Sequence, residues 1–237
     1  IYGRGLYQFD TLFFGVGYKG QDAVALFFGV PMLVAAVLLY QRGSLVGHLI
    51  LTGLLGYFLY LYSSMALGAA YNPLFLVYVA TFALSLFAFI LSFNAAALRV
   101  AALDVMDVAP GRAIAIFMLI AGGVTLFVWG APLVSALAQG VPPARMDSYT
   151  TMVTYALDLA VITPATFICA ALFLRQNPVG VVLAAPLLTL IILLAPQIIL
   201  STVFQLRAGV PLSTAEVVGP VAGFVVLGFA ASWLLAR

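Results

Sequence analysis

The chain has 237 residues, of which 65% are hydrophobic and only 7% charged, with a formal net charge of +2 and a mean hydropathy of +1.23. Soluble domains run near half apolar and about a quarter charged, and seven acidic and nine basic side chains cannot cover a water-soluble globule of this size. Disorder needs the opposite composition, so the chain reads as an all-α, polytopic integral membrane protein.

Residues 1–21 are rich in aromatics and glycine and are interrupted by Arg4, Asp10 and Lys19. Tyr2, Tyr7, Phe9, Phe13, Phe14 and Tyr18 suit the headgroup zone, where amphipathic rings sit. The segment is therefore expected to lie at the interface on the non-cytoplasmic side, with a single helical bundle over 22–237. A bilayer core of about 30 Å takes roughly 20 apolar residues. Charges and Pro/Gly/Asn clusters divide the chain into seven such runs, at 22–41, 45–67, 73–98, 112–138, 151–174, 178–206 and 213–236. Apolar residues continue all the way round each run, as in lipid-embedded helices, whereas barrel strands would be short and alternating. Most connections are short, which makes sequential helices antiparallel neighbours. Two are longer: one holds Asp104, Asp107 and Pro110, the other Pro142, Pro143, Arg145 and Asp147. No internal repeat is evident, and a seventh helix would be left over from any doubled unit.

Rare residues narrow the function. Cys169 and His48 are each alone of their kind, which leaves no intrachain disulfide, no cysteine-held zinc or cluster and no bis-histidine haem. The single lysine, Lys19, precedes the first long apolar run, so a retinal Schiff base within a span is excluded. There is no phosphate-loop motif, and a small net charge without a basic run gives no reason to expect nucleic acid. No cofactor or metal is expected. No nucleophile elbow or facing carboxylate pair marks an enzyme.

The side that holds residues 1–21 also carries Arg145 and Arg207; the other side carries Arg42, Arg99, Arg112, Arg175 and Arg237. With the N-terminal segment set aside, the positive-inside rule makes the second side cytoplasmic, C-terminus included. A bacterial inner (plasma) membrane is expected. Because the chain starts outside and without Met, a removed signal peptide or a further helix is expected upstream, with the helix favoured.

Polar groups inside spans are costly and by default mark a function or a structural hydrogen bond. Asp158 is the clearest case, about two turns into the fifth run, with Thr154 and Tyr155 on its face. Five of the seven acids fall on or toward the outer side, along with Gln21, Tyr57, Tyr60, Tyr62, Asn72, Gln197 and Gln205. This asymmetry points to an outward-opening pocket that binds or transports a small molecule or cation. Its expected ligand-binding residues are Asp158, Gln197, Asp22, Tyr57, Tyr60, Asn72 and Tyr155. Each has a bland reading too: tyrosines near a helix end form interfacial belts, and Asp22 and Glu216 favour helix N-termini through the macrodipole. Two other classes stay open. One is a membrane subunit that docks other membrane proteins through the aromatic N-terminal segment; the other is an intramembrane enzyme. Membrane lipid is the remaining expected partner. The Gly43/Gly47 and Gly219/Gly223 pairs read as helix packing.

Overall fold

The computed structural model describes residues 5–103 and 111–235, with nothing beyond the backbone at Ala144 and Ala215. Tyr2, Arg4, Asp104, Asp107, Pro110 and Arg237 therefore lie outside the described residues. The described chain is an all-α bundle with seven helices long and apolar enough to cross a membrane. They are α1 (Leu12–Gln41), α2 (Leu45–Gly68), α3 (Phe75–Ala101), α4 (Gly111–Gln139), α5 (Val153–Leu174), α6 (Val179–Arg207) and α7 (Thr214–Leu235).

The first helix starts earlier than composition suggests. Thr11 caps it, its hydroxyl accepting from the Phe14 N–H at 3.5 Å, so Lys19, Gln21 and Asp22 lie within α1. The expected division between an interfacial segment and the bundle at residues 21 and 22 thus falls inside a helix. Asp22 sits about three turns in rather than at the N-terminus, which removes the macrodipole as its reason. Residues 5–11 fold back onto the bundle, with Tyr7 and Asp10 only 2% and 1% exposed.

Contrary to the sequence reading, the chain carries an internal repeat. A constant offset pairs Pro31 with Pro164, Arg42 with Arg175, Gly47 with Gly180 and Leu54 with Leu187. Both α1 and α5 contain a π-turn just before the paired proline, at Ala25–Gly29 and Asp158–Ile162. Proline offers no N–H and crowds the preceding turn, and a widened turn absorbs both defects. Both helices then end in the same Schellman motif. Arg42, Gly43 and Ser44 donate to Leu38, Tyr40 and Leu39, while Arg175, Gln176 and Asn177 donate to Ala171, Phe173 and Leu172. The left-handed residue is Gly43 (φ 80°) in one turn and Gln176 (φ 54°) in the other. A Cβ on Gly47 would sit 2.8 Å from the Leu39 carbonyl carbon, and one on Gly180 would sit 3.2 Å from the paired Leu172.

Helices α1–α3 and α5–α7 are thus two equivalent triads, and α4 is the helix left over between them. Because three spans lie between α1 and α5, both triads start on the same side, so the two-fold relating them stands along the membrane normal. It passes through the crossing of α2 and α6. There a Cβ on Gly53 would meet the Ala185 carbonyl at 2.9 Å and the Thr189 side chain, and one on Gly56 would meet Pro186 at 2.7 Å. The offset turns Gly53 into Pro186 and Gly56 into Thr189, so the two-fold exchanges these two contacts. Small residues allow this close approach where lipid supplies no hydrophobic drive. One expectation about glycine fails: Gly47 packs against α1, but a Cβ on Gly219 or Gly223 would meet nothing within 4 Å.

Candidate functional site

At the crossing the triads pack tightly. Toward the end of the bundle that holds Asp10 they separate around a chamber of about 160 Å³. Its polar wall comes from Gln21 of α1, Tyr60 and Ser64 of α2, Thr154 of α5, and Gln197, Ser201 and Gln205 of α6. Gln21 answers to Thr154 and Ser64 to Gln197 under the repeat, so the chamber lies on the two-fold. It is walled by two equivalent seams, α1 against α6 and α5 against α2.

The seams match contact for contact. Gln197 Nε2 donates to Gln21 Oε1 at 3.4 Å in one, and Ser64 Oγ meets Thr154 Oγ1 at 3.5 Å in the other. Further toward the Asp10 end, a Cβ on Gly20 would lie 2.7 Å from the Ser201 Cα, while Val153 already stands 3.1 Å from the Cβ position of Gly68. Two further bonds tie α6 to α1: Ser201 Oγ donates to the Gly17 carbonyl at 2.8 Å and Gln205 Nε2 to the Phe13 carbonyl at 2.9 Å. Even so, Gln21 Nε2 and Gln197 Oε1 remain buried with no partner among the described residues. Buried amides are ordinarily satisfied, so the Gln21–Gln197 pair leaves one donor and one acceptor unspent in the chamber wall.

Asp158 does not line the chamber. It opens the π-turn of α5, is 7% exposed, and accepts at Oδ1 from the Tyr60 hydroxyl at 2.9 Å. Tyr60 lines the chamber, so one phenol separates the acid from it. The answering positions on the other seam, Ala25 and Leu193, are both buried in an apolar cluster.

The other expected residues scatter. Tyr155 lies in an adjoining groove, its ring 4.5 Å from that of Trp129. Tyr57 is wholly buried, packing on the α1 π-turn beside Gly29. Asn72 forms an Asx turn, Oδ1 accepting from the Leu74 N–H at 2.9 Å, and so starts α3. Asp22 is exposed and accepts from the Tyr7 hydroxyl at 2.6 Å. Burial first, and Asp22 second, push that hydroxyl well up, so Tyr7 stays protonated and donates. Glu216 belongs to a capping box on α7, bonding the Ser213 N–H and hydroxyl while Ser213 Oγ accepts from the Glu216 N–H. It also pairs with Arg145.

Ser64 and Ser201 went unrecognised in the sequence. A signal existed, because Gln197, Ser201 and Gln205 recur at helical spacing on one face. Near the chamber mouth Asp10 forms a latch. Its Oδ1 accepts from the Ala70 N–H and the Tyr149 hydroxyl, both at 2.8 Å, joining the start of α1 to the loops before α3 and α5. Burial raises the Asp10 carboxyl above its ordinary value, more than these two bonds lower it.

The chain matches no protein-family model, no curated protein and no solved structure. Among the described residues no three histidine, cysteine or acidic side chains converge as metal ligands. The chamber's chemistry is that of neutral amides and hydroxyls with one acid behind a phenol.

Proposed function

We propose that this integral membrane protein binds a small polar solute or cation in the chamber on its two-fold axis and carries it across the membrane. Entry is from the side holding Asp10, which the arginine distribution assigns to the outside. The unpartnered amide atoms of Gln21 and Gln197 carry this reading. A solute with one acceptor and one donor satisfies both groups, and a buried amide left unsatisfied costs about 1–3 kcal/mol. Asp158 supplies the negative charge that a cation or a co-transported proton requires, and Tyr60 relays its position to the chamber. Parallel repeats with broken helices at their interface are a construction used by solute transporters.

The subunit reading is less well supported, because two of the rings it needs are spent inside the chain. Tyr7 and Tyr18 are buried against Met65 and Tyr78 of the same molecule. The test is flux into proteoliposomes, using light scattering for a panel of small neutral solutes and a pH dye for protons. Wild-type protein should carry at least one of them, and Gln197→Leu and Asp158→Asn should abolish that flux while still giving folded, monodisperse protein. Flux in both variants at the wild-type rate would overturn the proposal.

A further inference from the structure

The two triads differ in one conspicuous way, which concerns a groove rather than the chamber. In the first triad Tyr7 lies on α1–α3, surrounded by Asp22, Met65, Ala69 and Tyr78. Met65 and Tyr78 beneath it are 2% and 5% exposed. The repeat carries those four positions to Tyr155, Ile198, Thr202 and Pro211. The first three line a groove of about 310 Å³, and Leu212 lines it beside the fourth. No side chain of the described chain takes the place of Tyr7 there, and Ile198 and Leu212 are correspondingly half-buried. The second triad has the same socket without its plug.

The socket's lining defines what fits it. On α7 the wall consists of Glu216, Pro220 and Phe224, a stripe at four-residue spacing that runs about 12 Å along the helix axis. Polar groups stand at one end, where Arg145 pairs with Glu216 and lies over the Phe13 ring at 4.6 Å. Farther along, the wall is Ile198, Trp129 and Phe224. An elongated cleft, with an arginine–glutamate pair at its mouth and hydrocarbon below, matches the shape and polarity of a membrane amphiphile and not a compact solute. Among the described residues the hydrogen bond from Arg145 goes through one Nη to Glu216, and a guanidinium has further N–H donors for a phosphate.

We infer that this groove holds one acyl chain of a phospholipid whose phosphate sits on Arg145, so that a lipid completes the second triad as Tyr7 completes the first. The inference rests on the repeat and stands whether or not the chamber carries a solute.

The chain has two tryptophans, so a Trp233→Phe variant leaves Trp129 in the groove wall as the sole indole emitter. It is reconstituted in vesicles of a galactosyl diacylglycerol, which has no phosphate, containing rising fractions of phosphatidylglycerol with brominated acyl chains. The expected result is a saturable quenching component at low bromolipid fraction, on top of the gradual loss from lipids at the bundle surface. Thr202→Phe, which fills the groove from its own wall, should remove the saturable component and leave the gradual one. Arg145→Gln should weaken it about tenfold, the worth of one charge-assisted hydrogen bond. Quenching that only follows bromolipid fraction overturns the inference. So does a saturable component that survives Thr202→Phe, or one that a brominated fatty alcohol without phosphate reproduces at equal strength. Should Thr202→Phe not fold, phosphorus retained by the delipidated wild-type chain decides: one phosphate per chain supports the site, and none overturns it.

Discussion

The seam between α5 and α2 and the seam between α1 and α6 hold the same place in the two halves of one design, yet only one contains an acid. Both have a polar pair beside the chamber and a glycine where the helices close. Where one seam has Tyr60 and Asp158, the other has Leu193 and Ala25. The apolar seam shows that this geometry needs no carboxylate to form. A buried acid held by one phenol is therefore a poor candidate for architecture and a good one for function.

The largest loss of stability is expected at the axis both seams share. Gly53→Leu drives a side chain into the Ala185 carbonyl and Thr189. Overpacking there should cost about 3 kcal/mol, seen as loss of the monodisperse peak in detergent gel filtration. Next come the paired glycines. Gly20→Ala meets the backbone of Ser201, whereas Gly68→Ala meets only the Val153 side chain, which can yield. We expect a loss of about 2 kcal/mol for the first and less than about 1 kcal/mol for the second, read from thermal unfolding. Tyr60→Phe removes the donor to Asp158 and should cost about 1 kcal/mol, because hydrogen bonds between membrane helices contribute little net energy. The double variant Tyr60→Leu, Asp158→Ala copies the apolar seam. It should melt within about 1 kcal/mol of wild type, since both partners go together, while solute flux disappears. A double variant that transports normally removes Asp158 from the mechanism.

The smallest effect concerns the latch at the chamber mouth. Because burial holds the Asp10 carboxyl above its ordinary value of 3.8, the folded chain keeps a proton there that the unfolded chain releases. Charging the buried carboxyl costs more than its two accepted bonds return, so its net contribution to folding is fully present below that ordinary value and is lost as pH rises through the raised one. Hydrogen exchange at the Ala70 amide, which Asp10 accepts, should therefore show protection that falls over this acidic window. Asp10→Asn keeps an accepting oxygen and should flatten the dependence.

Composition and charge made the seven spans legible, since hydrocarbon tolerates little besides apolar helices. They failed at Lys19, Gln21 and Asp22, because polar residues end a span in a hydropathy reading but can equally lie along a seam or against a partner such as Tyr7. The repeat was hidden because few paired residues are identical. What is preserved is geometry: a π-turn before a proline, a left-handed residue after it and a close approach at an axis. The candidate site was legible in part. Asp158, Tyr60 and Gln197 do cluster, but Tyr57, Asn72 and Asp22 share their end of the bundle only by depth, and depth says nothing about which way a side chain turns around its helix.

The odd helix between the triads has a mechanical consequence. When two halves are inverted relative to each other, exchanging their shapes turns an assembly that opens one way into one that opens the other. With α4 interposed, the halves stand upright side by side, and such an exchange returns the molecule facing where it began. Any change of exposure must then come from flexing within each half, and the widened turns ahead of Pro31 and Pro164 put one pivot in each.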